Sequence, residues 1–354
     1  MSNFTFLSGE TTPDHTVGLA LVQRIREKFS IPNSPQFAAS LPPSGKMKST
    51  AFNWSVGVWL SALSAAAEAD ASLIPFARKY AIATRTYWNP LPPVAGYDVL
   101  PGPKDVDRYY DDNEWMVMSL ADIARLTKDE SIWQDAERAM TYALSGLDSK
   151  LGGGIYWRES DRGATKNTCS NAPAVAALLT LYRHDHRPER LQQAAEIYDW
   201  TYTTLRDPAD DLMWDAIRSS GSVEKTKWSY NTALMIRSAG ELYQLTHRPI
   251  YQTQLRKFVR RSIRHWFTPE SGKMKDEGKF AHLLLESWQI AASIDNELAP
   301  EVGPVIGKVR AWLRASKTAD GWYGPRWDSA PKSLAEPALI DQAAVARALL
   351  FKPN

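Results

Sequence analysis

The chain has 354 residues, and its 42 basic and 40 acidic side chains leave a formal net charge of +2. This balance creates no overall field that would attract nucleic acid or an anionic membrane surface, so we expect a neutral partner. The single cysteine, Cys169, excludes an internal disulfide, and the six histidines show no ligand spacing typical of a metal site. We therefore expect no metal and no cofactor.

The first ten residues do not combine a basic start with an apolar run, and no stretch reaches the roughly 18 apolar residues of a membrane helix. As written, the sequence predicts a cytoplasmic protein without a membrane span. Removal of a leader peptide would instead make it an exported protein. We expect the protein to be a monomer.

Apolar residues recur at helical spacing along most of the chain, as at Leu191, Ala194, Tyr198 and Leu205. The pattern predicts an all-α protein. In chain order, we expect helices near residues 15–29, 54–68, 72–88, 112–127, 130–147, 171–184, 188–205, 230–246, 248–267, 280–296, 300–317 and 336–351.

Alternate predicted helices differ in their apolar pattern. The helix from Trp54 is apolar around most of its circumference, which is typical of a buried helix, whereas the helix at 188–205 has two distinct faces. Short links join the two kinds into hairpins, and the buried helices recur every 50 to 60 residues or so. Six such pairs close a ring if the N-terminal helix is the last outer member. The sequence thus predicts an (α/α)6 toroid, or barrel, formed by residues 1–354 as one domain.

Loops rich in glycine and aromatic residues precede several of the predicted inner helices, at 151–157, 211–215 and 321–327. Glycine permits tight turns with positive φ. We expect these loops to open at one end of the ring, where their Trp and Tyr side chains either face a central cleft or plug the mouth of the barrel.

Two adjacent carboxylates, Asp111 and Asp112, lie between aromatic residues at the start of a predicted inner helix. A retaining glycosidase needs a nucleophilic carboxylate and a second carboxyl group roughly 5 to 5.5 Å away as proton donor, and neighbouring residues at a helix end can meet that distance. Aspartate is also favoured in the first helical turn for purely structural reasons. The pair alone leaves both roles open.

Four blocks resemble, in order and spacing, the motifs of glycoside hydrolase family 76, which contains α-1,6-mannanases and related fungal cell-wall transglycosidases. They are residues 109–115 (YYDDNEW), 152–157 (GGGIYW), 166–171 (KNTCSN) and 228–231 (WSYN). The resemblance covers residues 108–231, and the rest of the chain matches in helix rhythm. Two positions depart from the family pattern, because Ala172 and Pro173 replace Glu-Leu and Thr232 replaces Gln. These departures leave the sugar specificity open.

The resemblance implies a retaining endo-α-1,6-mannanase that acts on α-mannan or mannooligosaccharides by double displacement. Asp111 is then the nucleophile and Asp112 the proton donor. We expect the substrate-binding residues to be Tyr109, Tyr110, Trp115, Trp157, Lys166, Asn167, Asn171, Trp228, Tyr230 and Asn231. The best candidates for stacking against sugars are Trp157, Trp228 and Tyr230. Helix capping by Asn171 and Asn231, and packing of Trp115 in the ring core, are the structural alternatives.

Three other functions remain open from the sequence. Another α/α-toroid enzyme, such as an unsaturated glucuronyl hydrolase or a sugar epimerase with a histidine base, would use His282 at an inner helix start. A noncatalytic glycan-binding ring would not need the intact Asp pair. A transglycosidase would use the same two carboxylates with a sugar acceptor in place of water.

Overall fold

A computed structural model describes residues 12–43, 46–102, 108–160 and 162–353. In this part of the chain it contains twelve α-helices, none of which is both long and apolar enough to cross a membrane. They are α1 (Pro13–Lys28), α2 (Asn53–Ala69), α3 (Ile74–Ala83), α4 (Tyr110–Thr127), α5 (Glu130–Leu144), α6 (Thr168–Asp185), α7 (Pro188–Leu205), α8 (Ser229–Thr246), α9 (Pro249–Trp266), α10 (Gly278–Ile294), α11 (Ala299–Ala315) and α12 (Leu339–Leu350).

The even-numbered helices form a closed inner ring. Each of α2, α4, α6, α8 and α10 packs against the next even-numbered helix, and α12 packs against α2. The outer helices α5, α7, α9 and α11 pack on the inner helix that precedes them, α3 packs on α2 and α4, and α1 packs on α12. The predicted all-α toroid is confirmed, with the N-terminal helix as the sixth outer member.

Burial explains why the inner helices are apolar on nearly all sides. In α2, Val56, Val58 and Trp59 point in different directions around the helix, and all three are fully buried. In the outer helix α9, by contrast, Leu255 and Val259 are buried, whereas the opposite face is rich in arginine. A helix enclosed by neighbours needs apolar side chains all round, and an outer helix needs only one apolar stripe.

Several inner helices begin earlier than the sequence predicted. The structure starts α4, α6 and α8 at Tyr110, Thr168 and Ser229, one to three residues before the expected starts. The preceding N-cap residues make no side-chain capping hydrogen bond in any of the three helices, so the usual polar signal for a helix start is missing. The predicted helix at 72–88 was also too long, because short 3₁₀ turns flank α3 on both sides.

The loops before four inner helices contain short antiparallel strands. They are β1 (Trp88–Asn89), β2 (Gly96–Tyr97), β3 (Thr165–Asn167), β4 (Ala216–Arg218), β5 (Val223–Glu224), β6 (Phe267–Thr268) and β7 (Lys273–Met274). Strands β1 and β2 pair with each other, as do β6 and β7, whereas β3, β4 and β5 form one small sheet. The pairing of β3 with β4 joins the loop before α6 to the loop before α8 at the N-terminal ends of the inner helices.

A repeated side-chain amide holds three of these loops. In α4, α6 and α12, the fourth helical residue is an Asn or Gln whose amide accepts the N–H and donates to the C=O of a single loop residue. The three pairs are Asn113 with Tyr97, Asn171 with Ile155, and Gln342 with Tyr323, at 2.7 to 3.0 Å. In α8 the same position is Thr232, whose hydroxyl accepts the N–H of Met213 at 3.1 Å. The helix register therefore fixes the loops around the mouth of the ring.

Candidate active site

The first turns of the inner helices line the mouth of the ring in one common register. Their second residues, taken around the ring, are Trp54, Asp111, Cys169, Tyr230, Lys279 and Ile340. Their third residues are Ser55, Asp112, Ser170, Asn231, Phe280 and Asp341. Contacts between several of these positions cross from helix to helix, and their solvent-accessible members form the wall of what we call the cleft, whereas Ser170 and Asn231 are fully buried.

The Asp pair lies in this wall, at the second and third residues of α4. Both side chains are partly accessible to solvent. The backbone N–H of Asp112 donates to Oδ1 of Asp111 at 3.0 Å, and the indole N–H of Trp157 donates to Oδ2 of Asp111 at 3.3 Å. Both carboxylate oxygens of Asp111 therefore have donors, which stabilise its ionised form.

The two carboxyl groups differ in their surroundings. Burial raises the pKa of Asp111 to about 7, although hydrogen bonds from Cys169, from the Asp112 N–H and from Trp157 act in the opposite direction. Burial and the neighbouring Asp111 carboxylate raise the pKa of Asp112 well above its ordinary value, and no described hydrogen bond opposes this. Two close carboxyl groups do not readily ionise together, so the pair holds one proton near neutral pH.

An aromatic wall continues from the Asp pair around the mouth. The thiol of Cys169 lies between Asp111 and the hydroxyl of Tyr230, close enough to influence the pKa of both groups. The ring of Phe280 stacks on Tyr230, with centroids 4.6 Å apart and planes 13° apart, and on Trp54 at 5.7 Å and 24°. Flat aromatic faces in a cleft are suited to the apolar faces of sugar rings.

The second rim of the cleft carries Trp157, which is 36% exposed. Its backbone carbonyl accepts the N–H of Tyr110 at 3.0 Å, and its ring meets the ring of Tyr109 edge-on at 5.2 Å. The strand-like contact between the two segments thus positions an exposed indole directly beside Asp111. Trp228 lies on the other side, tilted against Phe280 at 5.3 Å.

A third carboxylate, Asp215, lies near the pair and was not predicted as a site residue. Its backbone carbonyl accepts the N–H of Thr168 at 2.8 Å, and its side chain accepts from Asn231 at 3.4 Å. Burial raises the pKa of Asp215, partly offset by the Asn231 hydrogen bond, and its charge in turn raises the pKa values of Cys169 and Tyr230. The sequence feature that could have identified this residue is its position in a Trp-Asp pair within the loop before an inner helix.

Lys166 does not line the cleft, contrary to the sequence prediction. Its side chain is fully buried, and its ammonium group donates to Oδ1 of Asp148 at 2.7 Å and to the carbonyls of Asp148, Lys150 and Gly153. All of its donors are used within the protein. Lys166 therefore holds the 148–153 loop instead of binding a sugar.

Asn171, Tyr110 and Trp115 are also placed inside the protein. Asn171 is fully buried and anchors Ile155, so neither sugar contact nor helix capping describes its role. Tyr110 is 1% exposed and stacks on Tyr142 at 5.1 Å. Trp115 is 5% exposed and packs in the ring core, the structural alternative for this residue.

Asn167 and Asn231 have polar atoms that the described residues do not satisfy. The Oδ1 atoms of both side chains are buried without a hydrogen-bond partner in the described part of the chain. Neither residue caps its helix through its side chain. Both residues therefore remain candidates for substrate contact, as the sequence predicted.

His282 is unsuited to act as a base in the cleft. It is 1% exposed, its Nδ1 contacts the carbonyl oxygen of Gly278 at 3.1 Å, and burial lowers its pKa to about 4. Its ring lies 6.0 Å from that of Trp115 in the core. Within the described ranges, no group of three or more His, Cys, Asp or Glu side chains is arranged to hold a metal ion.

A closed ring of paired helices with two adjacent carboxyl groups at its mouth is the architecture of an α/α-toroid glycosidase. The sequence model of glycosyl hydrolase family 76 matches residues 42–349, and the chain belongs to this family of glycoside hydrolases.

Solved structures share the fold over nearly the whole chain. A GH76 α-mannanase from Bacteroides thetaiotaomicron is 26% identical, with a TM-score of 0.89, and the match covers 96% of this chain and 95% of that one. An inactive variant of an α-1,6-mannanase from Salegentibacter, in which two aspartates are replaced by alanine, was solved in complex with α-1,6-mannotetrose. It is 22% identical, with a TM-score of 0.82 and coverage of 96% and 98%.

A curated relative is more distant. A putative mannan endo-1,6-α-mannosidase from Schizosaccharomyces pombe is 24% identical over 155 residues, which is 42% of this chain. The match spans 35% of the length of that protein.

Proposed function

We propose that the protein is a retaining endo-α-1,6-mannanase that cleaves α-mannan or mannooligosaccharides. The main support for this proposal is a difference between the two carboxyl groups. Asp111 has hydrogen-bond donors on both oxygens, whereas Asp112 has no described donor. The two groups thus have the different protonation states that double displacement needs.

In the first step, ionised Asp111 attacks the anomeric carbon, and the bond from that carbon to the glycosidic oxygen breaks. The position of Asp111 at the second residue of α4 supports this role, because the N-terminus of a helix favours a negative charge. The donors from Trp157 and from the Asp112 backbone hold the carboxylate in place. The product is a mannosyl ester of Asp111 and a leaving group that needs a proton.

Asp112 supplies that proton to the departing oxygen. Burial and the neighbouring Asp111 carboxylate raise its pKa well above the ordinary value, which favours the protonated form that a proton donor needs. In the second step the Asp112 carboxylate removes a proton from water, and the water oxygen attacks the anomeric carbon and releases Asp111. Because both steps proceed by inversion, the product keeps the configuration of the substrate.

The lining of the cleft supports a neutral sugar chain as substrate. Trp157 offers an exposed indole beside Asp111, and Tyr230, Phe280 and Trp54 form an aromatic stack in the first turns of nearby inner helices. The linkage is proposed from the relatives, since one is a putative mannan endo-1,6-α-mannosidase and another is an α-1,6-mannanase in complex with α-1,6-mannotetrose.

The test is incubation of the purified protein with α-1,6-mannan and mannooligosaccharides, beside Asp111→Asn and Asp112→Asn, with products separated by chromatography. Asp122→Asn is the matched control, because Asp122 is a partly buried aspartate on the same helix whose pKa is also raised by burial. Its position eleven residues further along α4 places it roughly 16 Å away along the helix.

We expect the wild type and Asp122→Asn to release oligosaccharides, and each site variant to lose about 1000-fold or more in kcat. Restoration of Asp111→Gly by azide, with a glycosyl azide as product, would identify the nucleophile. Near-normal activity of either site variant would rule out the proposed mechanism. Adding an acceptor glycan to the same assay separates hydrolysis from transglycosylation.

A further inference from the structure

A carboxylate outside the proposed catalytic pair occupies an equivalent position in the ring. Asp341 is the third residue of α12, just as Asp112 is the third residue of α4. Helix α2 lies between α12 and α4 and contributes Trp54 from its own first turn. On its other side, α12 packs against α10, whose first turn contains Lys279 and Phe280. Asp341 therefore belongs to the wall of the same cleft, one helix removed from the Asp pair.

Asp341 is largely buried, but its carboxylate oxygens reach solvent. The residue is 7% exposed, and no hydrogen bond or ion pair is described for its carboxylate within the described ranges. Burial raises its pKa to about 7, while Lys279 lowers the pKa and Glu277 raises it. A carboxylate that keeps its oxygens open to solvent and bonds to no neighbouring residue is free to accept hydrogen bonds from a ligand.

The surroundings of Asp341 specify the chemistry of that partner. The ammonium group of Lys279 bonds to Glu277 at 2.7 Å and lies 5.8 Å from the centre of the Trp54 ring and 5.0 Å from that of Phe280. A carboxylate acceptor, an ammonium donor and a flat indole thus lie in the first turns of three helices that follow one another around the ring, α12, α10 and α2. The two carboxylate oxygens can accept from two neighbouring hydroxyl groups while the aromatic faces cover the ring carbons. A pyranose with adjacent hydroxyl groups provides both features.

We propose that Asp341, Lys279 and Trp54 form a saccharide subsite that binds a mannosyl unit of the substrate chain through two neighbouring hydroxyl groups. This subsite rests on the proposed mannanase function and extends it. Neighbouring helix axes lie roughly 10 Å apart, so the subsite is separated from the cleaved bond by more than one sugar unit. It therefore acts on substrates long enough to reach from the Asp pair past α2.

The experiment measures binding of α-1,6-mannobiose and α-1,6-mannotetraose by calorimetry in the Asp112→Asn protein, which holds its substrate without turnover. Asp341→Asn and Asp341→Ala are added to this background, with Asp122→Asn as the matched control at the other end of the ring. We expect the Asp341 variants to weaken mannotetraose binding about ten-fold or more, because hydrogen bonds to a charged group are lost. Binding of mannobiose and the control protein should change less than two-fold.

A thermal melt of each variant distinguishes a binding role from a structural one. An unpartnered buried carboxylate destabilises the folded state, so Asp341→Asn should leave the melting temperature unchanged or raise it. Weaker binding together with a lower melting temperature in both Asp341 variants would indicate a structural role and overturn the proposal. Mannotetraose binding within two-fold of the parent would also overturn it.

Turnover by the wild type separates the two proposals. If the wild type cleaves α-1,6-mannan while the Asp341 variants bind mannotetraose normally, the subsite is wrong and the mannanase function stands. If the wild type neither cleaves nor binds these glycans, the mannanase function is wrong, and the subsite is wrong with it.

Discussion

The indole N–H of Trp157 donates to Oδ2 of Asp111, 3.3 Å away, so one residue both offers an exposed aromatic face and holds the proposed nucleophile. The bond links the loop before α6 to the first turn of α4. Positioning of the carboxylate and stacking of a sugar therefore depend on the same side chain. The two contributions can be separated, because phenylalanine keeps an aromatic face and lacks the donor.

Trp157→Phe should shift the pH dependence of kcat/KM to higher pH. The indole donor favours ionised Asp111, so its loss raises the pKa of the carboxyl group, which must be ionised to attack. The acidic limb of the profile should therefore move upward, while Trp228→Phe, in the opposite wall, should leave it in place. An unchanged acidic limb in Trp157→Phe would show that this hydrogen bond does not control the nucleophile.

Asp111→Asn should stabilise the protein at neutral pH. Burial raises the folded-state pKa to about 7 from the ordinary value of 3.8, so the folded state binds more protons than the unfolded state between these two values. The free energy of unfolding contributed by Asp111 therefore falls as pH rises through this window. We expect the variant to melt about 2 to 4 °C above the wild type at pH 7.5, with little difference near pH 4. A variant that melts lower at both pH values would contradict this.

Lys166→Met should destabilise the protein strongly. The change leaves three loop carbonyls without the Lys166 donor, whereas the Asp148 carboxylate keeps the hydrogen bonds from the Tyr156 hydroxyl and the Lys150 N–H. Each buried polar group that is left unsatisfied costs about 1 to 3 kcal/mol. Chemical denaturation measures the loss, and Lys150→Met, at an exposed lysine of the same loop, is the control. If the loss of unfolding free energy is no larger than in the control, Lys166 is again a candidate for substrate contact.

Gly154→Ala should disturb the loop that carries Trp157. The glycine has a φ of +84°, and a Cβ there would lie 2.4 Å from the Trp200 ring. Gly221→Ala is a close control, because Gly221 has a φ of +83° and open space around it. We expect about 1 kcal/mol of destabilisation in the control, and clearly more in Gly154→Ala together with a higher KM. Equal effects on melting temperature and KM would show that the Trp200 contact relaxes without cost.

The ring could be predicted from the sequence because the spacing of apolar residues shows which faces of each helix are buried. The residues of α2 around Trp59 are apolar on every side because every side meets another helix. The starts of α4, α6 and α8 were missed because Tyr109, Asn167 and Trp228 make no side-chain cap. Tyr109 and Trp228 are not residue types that mark a helix start, and Asn167, which is such a type, does not use its side chain as a cap.

Site residues were harder to predict than helices, since residue type does not show which way a side chain points. Lys166 looked like a polar contact, yet three backbone carbonyls 13 to 18 residues earlier in the same loop surround its ammonium group. Asp215 looked like a loop residue, yet the pairing of β3 with β4 brings it beside Asn231. Both outcomes depend on contacts between residues at least 13 positions apart, which no local pattern encodes.

The amide anchors of Asn113, Asn171 and Gln342 contact the loop residue they hold through its backbone N–H and C=O, and each amide also donates to the carbonyl of the N-cap residue of its own helix. Any residue except proline, which lacks the N–H, offers the same two groups at that point. The attachment is therefore indifferent to the side chains of the loop. Loops of different sequence can therefore be attached at the mouth of the ring without any change in the helices that hold them.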